Sequence, residues 1–288
     1  MKQAYTEFNF RGDSLKLIVT IDTIIAEYVV QGYRLTVRQL YYQLVARDII
    51  PNTERSYKNT VRLVNDARLA GLIDWDAIED RTRAFITRPH WNSGKDILES
   101  CASQFHMDMW SKQNHRVFVL VEKEALAGVL ERVCRKWDVP LLAARGYPSA
   151  SVLREFAMER ILGQDQQVII LHLGDHDPSG IDMTRDLIDR LQLFAPFLFE
   201  LQRIALNMDQ IEEQQPPPNP AKTTDSRFEE YQRQHGDESW ELDALQPSYL
   251  NDLVQGHIQQ YVDPELWEKR ENEIAAIKRK IHKVAEAF

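Results

Sequence analysis

The apolar positions between residues 116 and 204 follow two periodicities. Short, almost continuously apolar runs are typical of buried strands, and apolar residues three or four positions apart are typical of helices. The predicted strands are 116–122, 139–143, 167–173 and 197–204, and the predicted helices are 123–137, 149–162 and 180–193. Strands that alternate with helices in this way predict an α/β fold with a parallel sheet covered by helices on both faces.

The first part of the chain has helical periodicity only. Apolar spacing predicts a helix over 13–31 with Asp13 as its N-cap. Thr36 and Gln39 form the signature of a capping box, so a second helix is expected to begin at Val37.

A third helix is predicted from Thr53, its N-cap, to Ala70. The apolar and aromatic residues of 72–78 then indicate a short strand, or wing. Three helices followed by a wing predict a CAP-like winged-helix domain, in which the third helix faces the groove of DNA.

The second predicted helix places two adjacent tyrosines on different sides of its surface. Tyr41 lies on the apolar stripe and is expected in the core. Arg38 and Tyr42 are four residues apart and are neighbours on the flank of the helix. We therefore expect Tyr42 to be presented to a substrate with a guanidinium beside it.

Residues 214–220 are rich in proline and predict a stiff, extended spacer. The segment that follows carries no motif, and packing within the fold is its expected role.

Asp263 and Pro264 are typical of a helix start, and the last helix has an apolar seam. The seam suits packing on its own chain or a dimer, and the first is favoured. The predicted units are a winged-helix domain at 1–90, a connector at 91–115, the α/β domain at 116–210 and a helical C-terminal extension at 211–288.

The 288 residues carry a net charge of −9, which by itself does not favour a nucleic-acid partner. The charge is unevenly distributed, however. Residues 1–95 contain 14 Lys and Arg against 11 Asp and Glu, a net charge of +3, which leaves −12 for the rest. The residues expected to face DNA phosphates are Arg55, Lys58, Arg62 and Arg68 of the third helix. A solvated helix face is the alternative explanation of these charges.

Other features exclude several classes of protein. The chain has no run of about 18 apolar residues, so no membrane span is expected. Cys101 and Cys134 form neither a CxxC pair nor a metal cluster, and we expect reduced thiols in a cytoplasmic protein.

Carboxylates follow two of the predicted strands. Glu122 ends one of them, and Asp175 and Asp177 follow another. Parallel strands end at the same edge of a sheet, where such folds bind ligands. Oxygen ligands held close together suit Mg²⁺, although turn-capping aspartates are common after strands. His176 is expected to point away from the two aspartates, and Arg145 is a candidate for the cleft.

Three blocks of sequence carry a resemblance to a known family. They are Val121-Glu122-Lys123-Glu124-Ala125, Gly146-Tyr147-Pro148 and Gly174-Asp175-His176-Asp177-Pro178-Ser179-Gly180-Ile181. In this order they resemble the Toprim domain, most of all that of the topoisomerase VI A subunit and the related meiotic double-strand-break protein. These proteins also carry an Arg-x-x-Tyr/Phe-Tyr motif in a winged helix before Toprim, and residues 38–42 are similar to it.

The resemblance implies an Mg²⁺-dependent DNA-cleaving enzyme, with Mn²⁺ as an alternative metal. Tyr42 would be the nucleophile with Arg38 beside it, and a phosphotyrosyl intermediate would form. The implied metal ligands are Glu122, Asp175 and Asp177. Asp182 would lie behind them as an outer-shell residue. Apart from the resemblance, Lys123 is a candidate for holding phosphate because it lies beside Glu122. In this family the tyrosine of one protomer meets the metal site of the other, which implies a homodimer.

The chain departs from topoisomerase VI in being short and in having no ATPase, so a separate ATPase or regulatory partner is expected for strand passage. It resembles the short stand-alone Mini-A proteins better. Two other functions stay open. The chain can be a Toprim nuclease that uses water, with Tyr42 structural, or a non-catalytic DNA-binding module.

Overall fold

The computed structural model of the chain describes residues 1–78, 88–144 and 146–288. Its α-helices are α1 (Gly12–Val30), α2 (Val37–Ala46), α3 (Glu54–Leu69), α4 (Gly94–Gln104), α5 (Ala127–Lys136), α6 (Ala150–Phe156), α7 (Pro178–Phe194), α8 (Met208–Gln214), α9 (Phe228–His235), α10 (Pro247–Gln259) and α11 (Pro264–Ala285). Its strands are β1 (His115–Val121), β2 (Leu141–Ala143), β3 (Gln167–Leu173), β4 (Phe199–Ala205), β5 (Asn219–Pro220) and β6 (Glu238–Ser239).

The first four strands form one parallel sheet in the order β2–β1–β3–β4. Val121, at the end of β1, is paired with Ala143 of β2 and with Leu173 of β3. These three strands therefore end at the same level. The predicted parallel sheet is confirmed, and its carboxyl edge brings together the residues that follow β1 and β3.

Apolar cores lie on both faces of this sheet because side chains alternate along each strand. Val119 of β1 packs in the core shared with α5, α10 and α11. Leu120, the next residue, packs in the core shared with α6 and α7. The expected covering of both faces by helices is confirmed.

Helices α1 to α3 pack around a core of their own, which includes Ile21, Leu40 and Val64. The predicted capping box at Thr36 is confirmed, and so is the predicted N-cap at Thr53. The predicted N-cap at Asp13 is wrong, because α1 begins one residue earlier and Asp13 lies in its first turn.

The predicted strand at 72–78 is also wrong. Trp75–Ala77 form a 3₁₀ turn, and Ile78 makes only an isolated bridge with Leu35. The Asp74 side chain caps the turn by accepting from the backbone N–H of Asp76. This local hydrogen bond favours a turn over a strand despite the apolar residues nearby. Residues 79–87 lie outside the described residues.

The C-terminal extension folds back onto the chain, as predicted. Helix α11 packs against α4, and Trp267 makes an edge-on contact with the buried Trp110 ring at 5.8 Å between centroids. The predicted seam ends early, because Val284 and Phe288 are exposed.

The proline-rich stretch is not a free spacer, contrary to the prediction. Pro216 is buried, and β5 pairs with β6 in a two-stranded antiparallel ribbon. The amide of Asn52 donates to Pro218 O at 3.2 Å and to Asn219 Oδ1 at 2.7 Å. The stretch therefore docks the C-terminal part of the chain onto the N-terminal helices.

The described residues bear on two further expectations, the absence of a membrane span and the state of the cysteines. None of their helices is long and apolar enough to cross a membrane. Cys101 and Cys134 are both free thiols, as predicted.

Candidate active site at the sheet edge

The carboxyl edge of the sheet holds Glu122 and Asp175 side by side. Glu122 directly follows β1, and its Oε2 accepts a hydrogen bond from the backbone N–H of Asp175 at 3.0 Å. A Cβ atom on Gly180 would lie 2.3 Å from Asp175 O, so only glycine fits where α7 starts. Burial raises the pKa of the Glu122 carboxyl, although the Asp175 N–H lowers it.

Asp177 is the N-cap of α7. Its Oδ1 accepts from the backbone N–H of Gly180 at 2.6 Å and from the Ser179 hydroxyl at 2.8 Å. One oxygen of Asp177 therefore performs the capping task that is common for an aspartate after a strand.

Lys123 lies between carboxylates of two separate segments. Its Nζ is 2.9 Å from Asp175 Oδ2 and 3.0 Å from Asp243 Oδ1, and it also donates to Glu241. Burial lowers the pKa of Lys123, but the three acids, Asp243 first, outweigh it and keep this pKa above its usual value. Lys123 is therefore a buried, charged ammonium at neutral pH.

Arg38 of α2 contacts the same two distant acids. Its Nε donates to Asp243 Oδ2 at 2.7 Å, and its Nη2 donates to Glu241 Oε2 at 2.8 Å. The same Nη2 lies 3.5 Å from the Tyr42 hydroxyl, and the guanidinium carbon is 5.6 Å from the Tyr42 ring centroid. The predicted closeness of Arg38 and Tyr42 is confirmed.

Tyr42 is not exposed, contrary to the prediction. Only 6% of the residue is accessible, and it packs with Tyr41, Val45 and Ala244. A helical wheel identifies the flank on which Tyr42 lies but not the segment that covers that flank. Burial raises the pKa of the Tyr42 hydroxyl above its usual value, and Arg38 lowers it only in part.

The covering segment, residues 240–244, is named here the acidic strap. Trp240 and His176 exchange two backbone hydrogen bonds of 2.9 Å each. The backbone N–H of Leu242 donates to Asp175 Oδ1 at 2.7 Å. The strap is thereby fixed to the sheet edge, and it places Glu241 and Asp243 against Arg38 and Lys123.

Sequence reasoning missed Glu241 and Asp243. One signal was present, because these two acids have the same two-residue spacing as Asp175 and Asp177. Asp243 is the more tightly held of the pair, since its side chain is fully buried and each of its two oxygens contacts a cation.

Tyr42 and the sheet edge border one cavity of about 370 Å³ within a single chain. Arg38, Tyr42, Asp175 and Asp177 all line it. The remaining lining residues are Tyr41, Asn52, Thr53, Glu54, Tyr57, Asn219, Pro220, Lys222, Ser239, Trp240 and Glu241. The tyrosine therefore reaches the acidic edge of its own chain. A second chain is not needed to complete this cavity.

The expected metal ligands do not form a ready metal centre. Across residues 1–78, 88–144 and 146–288, no three His, Cys, Asp or Glu side chains form a group that could hold a metal ion. Both oxygens of Asp175 are engaged, one by Lys123 and one by the Leu242 N–H. Asp177 gives one oxygen to its helix cap. As arranged, the set of Glu122, Asp175 and Asp177 does not fit a bound metal.

Asp175 is the acid at this edge whose protonation is most perturbed. Burial raises its pKa to about 7, although Lys123 lowers it, and Glu241 and Glu122 raise it further. A carboxyl in this state exchanges a proton near neutral pH.

Arg203 of β4 fastens the loop that carries Asp175. Its Nη2 donates to Asp175 O at 2.7 Å and to Gly174 O at 3.1 Å, and its Nη1 donates to Gly180 O at 3.0 Å. Burial lowers the pKa of Arg203 to about 10. This guanidinium shapes the sheet edge by binding backbone oxygens, and no motif or spacing in the sequence predicts that role.

Asp182 belongs to a different network. Its Oδ2 accepts from the Tyr147 hydroxyl at 2.8 Å and from Arg227 Nη1 at 2.9 Å, and Arg185 binds its other oxygen. Both oxygens of Asp182 are thus engaged by Tyr147, Arg227 and Arg185, and Asp182 does not line the cavity. Arg145, the candidate for the cleft, lies outside the described residues.

The basic residues of α3 separate into two groups. Arg55, Lys58 and Arg62 are exposed on one side of the helix, and Lys58 forms an exposed ion pair with Glu54. Arg68 instead lies over the Trp75 ring at 4.6 Å and donates to Trp75 O at 2.9 Å. Arg68 therefore has a structural role, and the surface available to phosphates is smaller than predicted.

Two buried histidines lie near the sheet edge. His172 Nδ1 is 3.0 Å from the Thr184 hydroxyl, and His176 Nδ1 is 2.9 Å from the Tyr231 hydroxyl. Burial lowers the pKa of His172 to about 3 and that of His176 to about 4. Both imidazoles are neutral at physiological pH, and His176 packs against Tyr231 as a structural contact.

Comparison with known proteins adds no relative. No protein-family model matches the chain, and no curated protein matches it. The fold and the site define an α/β protein with a parallel four-stranded sheet and a tyrosine–arginine pair beside the carboxyl edge of that sheet.

Proposed function

We propose that this chain cleaves DNA by transesterification, with Tyr42 as the nucleophile. The observation that carries the proposal is the shared cavity, in which the Tyr42 hydroxyl, the Arg38 guanidinium and the acidic sheet edge meet. The topoisomerase VI A-like motifs name the same residues, and that resemblance supports the proposal as a second line of argument.

The chain's own residues account for the chemical step. Arg38 and Lys123 neutralise the phosphate and stabilise the charge that develops on its oxygens. The Tyr42 oxygen forms a bond to phosphorus, and the bond from phosphorus to the leaving deoxyribose oxygen breaks. The phenolic proton is released to solvent, the leaving deoxyribose oxygen takes up a proton from solvent and departs as a hydroxyl, and the phosphodiester link is kept between Tyr42 and the DNA. Because burial raises the pKa of Tyr42, the two nearby cations are needed to favour the phenolate.

Mg²⁺, or Mn²⁺ in its place, is part of the proposal. Glu122, Asp175 and Asp177 are the residues that would hold it, and it would supply further stabilisation of charge on the phosphate. Binding requires Asp175 to leave Lys123 and the Leu242 N–H, so no step above is assigned to the metal.

The proposed partner is DNA, which would lie along the exposed basic face of α3. Thr53 and Tyr57, at the start of this helix, line the cavity, so a backbone that follows Arg55, Lys58 and Arg62 passes near Tyr42. A homodimer would cut both strands, and a separate ATPase or regulatory protein would be needed for strand passage. Both remain predictions from the resemblance.

A second function is favoured by the burial of Tyr42. A tyrosine that is 6% exposed and packed among aromatic rings fits a structural role. In that case the acidic edge would serve a metal-dependent nuclease in which water attacks the phosphate.

A labelled-DNA cleavage assay with Mg²⁺ or Mn²⁺ separates these functions. Wild type and Tyr42→Phe are compared, with and without protease before electrophoresis. Tyr57→Phe is the matched control, because Tyr57 lines the same cavity. The proposal predicts label that stays with protein until protease is added, in wild type and Tyr57→Phe but not in Tyr42→Phe.

The other outcomes identify the alternatives. Free DNA ends from all three proteins, lost in Asp175→Ala and Glu122→Ala, would establish the nuclease. Binding without a product from any protein would indicate a non-catalytic DNA-binding module.

A further inference from the structure

The two cations of the candidate site are joined by carboxylates of the acidic strap. Asp243 places Oδ2 at 2.7 Å from Arg38 Nε and Oδ1 at 3.0 Å from Lys123 Nζ. Glu241 Oε2 is shared by the same two cations, at 2.8 Å from Arg38 Nη2 and in contact with Lys123. Each acid thus binds a guanidinium and an ammonium that come from different parts of the chain.

A phosphodiester offers the same bonding pattern. It carries one negative charge and two non-bridging oxygens, which accept from arginine and lysine as a carboxylate does. An anion that replaced the Glu241 carboxylate would bind Arg38 Nη2, which is 3.5 Å from the Tyr42 hydroxyl. The position occupied by the strap is therefore one in which a phosphate would face the tyrosine.

Charge balance shows that the strap and a phosphate compete. When Asp175 is ionised, two cations, Arg38 and Lys123, face three carboxylates, Asp175, Glu241 and Asp243, for a net charge of −1. Without the two strap acids the same group has a net charge of +1. A phosphate is repelled in the first state and attracted in the second.

The strap forms no strand of the main sheet, so its displacement leaves the four parallel strands paired. It is held by backbone hydrogen bonds to His176, by one bond to the Asp175 side chain and by the ion pairs of Glu241 and Asp243, and its Trp240 and Leu242 pack in the core on one face of the sheet. It also borders Tyr42 through Ala244. Displacement of the strap would therefore release Arg38 from both of its acids, leave Lys123 paired with Asp175 alone and uncover the tyrosine.

We propose that Arg38 and Lys123 form a phosphodiester-binding site that Glu241 and Asp243 fill in the unbound protein, so that the acidic strap is an internal competitor of DNA. The inference rests on the proposed function, because it assigns the substrate contacts and the regulation of the same site.

The test measures binding of a short fluorescein-labelled DNA duplex by fluorescence anisotropy, in full-length protein carrying Tyr42→Phe so that no cleavage occurs. The test variant carries Glu241→Gln and Asp243→Asn, in which each acid of the strap is replaced by its neutral isostere. The control is Glu265→Gln with Glu268→Gln, two exposed acids of α11 outside the cavity. Both variants change the net charge equally, so the general effect of charge on DNA affinity cancels.

The strap variant is expected to bind DNA at least about tenfold more tightly than the parent, and the control to change by less than about threefold. Hydrogen exchange provides a second readout. DNA should speed exchange of the Trp240 and Leu242 amides in the parent protein, because both lose their acceptors when the strap leaves. If the Asp243→Asn substitution of this buried residue prevents folding, the single variant Glu241→Gln takes the place of the double variant in both measurements.

Equal affinity gains in the strap variant and the control, with unchanged exchange of the strap amides, would overturn the inference and leave the proposed function standing. DNA binding by none of the proteins would overturn both.

Discussion

Lys123→Met tests the electrostatic arrangement of the site without reference to its function. Methionine keeps the apolar stem and removes the ammonium, whose side chain is 16% exposed. Arg38 still donates to Glu241 and Asp243, so Asp175 is the acid whose side chain is left without a cationic contact. Removing one partner of a buried ion pair costs about 3–5 kcal/mol, and the lower figure applies here because Asp175 keeps the Leu242 N–H.

The assay is urea unfolding followed by circular dichroism at pH 8 and pH 5.5. With a slope of about 3 kcal/mol/M, a loss of about 3 kcal/mol lowers the urea midpoint by about 1 M at pH 8. Lys58→Met is the control. Its pair with Glu54 is exposed on α3 and is worth about 0.5 kcal/mol or less.

The pH dependence has a defined sign. Burial raises the pKa of Asp175 to about 7 in the folded protein, above its unfolded value of about 3.9. Such a group favours folding at low pH, and this contribution is lost as pH rises through the folded pKa. Loss of Lys123 raises that pKa further, so the deficit of the variant should grow from pH 5.5 to pH 8. A deficit no larger than that of Lys58→Met, or larger at pH 5.5, would refute the reasoning.

Three further predictions concern stability. Burial lowers the pKa of His172 to about 3, so below about pH 6.5 this imidazole binds a proton in the unfolded chain but not in the folded protein. This difference should cost about 2 kcal/mol on acidification from pH 7 to pH 5, so the loss measured by urea unfolding should be about 2 kcal/mol smaller in His172→Asn than in wild type. Arg203→Lys should lower the free energy of unfolding by about 2–4 kcal/mol in the same assay, since an ammonium cannot span the acceptors of the guanidinium. The control Arg190→Lys should lower it by less than about 1 kcal/mol. Equal losses would contradict the role given to Arg203. Thr36→Ala removes the capping box of α2 and should lower the free energy of unfolding by about 1 kcal/mol, and an unchanged urea midpoint would show that the cap contributes nothing.

The parts of the site that depend on local sequence were predictable. The end of β3 placed Asp175 at the sheet edge because apolar runs define strands. The four-residue spacing of Arg38 and Tyr42 placed them together because a helix repeats every 3.6 residues. Both inferences use only residues that are close in the chain.

The parts that depend on distant contacts were not predictable. Asp243 meets Arg38 across 205 positions, and no periodicity reports such a contact. The same strap buries Tyr42, so a wheel drawn for α2 alone predicted an exposed side chain. The strand predicted at 72–78 failed for a local reason, since the Asp74 side chain accepts a hydrogen bond from the Asp76 N–H and stabilises a turn there.

The most direct test of the central claim is to locate the DNA on the protein. Cleavage complexes are trapped with denaturant and digested with nuclease and trypsin, and peptides that retain a nucleotide are sequenced by mass spectrometry. Trypsin releases residues 39–47 as one peptide containing both Tyr41 and Tyr42. The account predicts the nucleotide on Tyr42. A nucleotide on Tyr41 or Tyr57, or free DNA ends with no modified tyrosine, would contradict it.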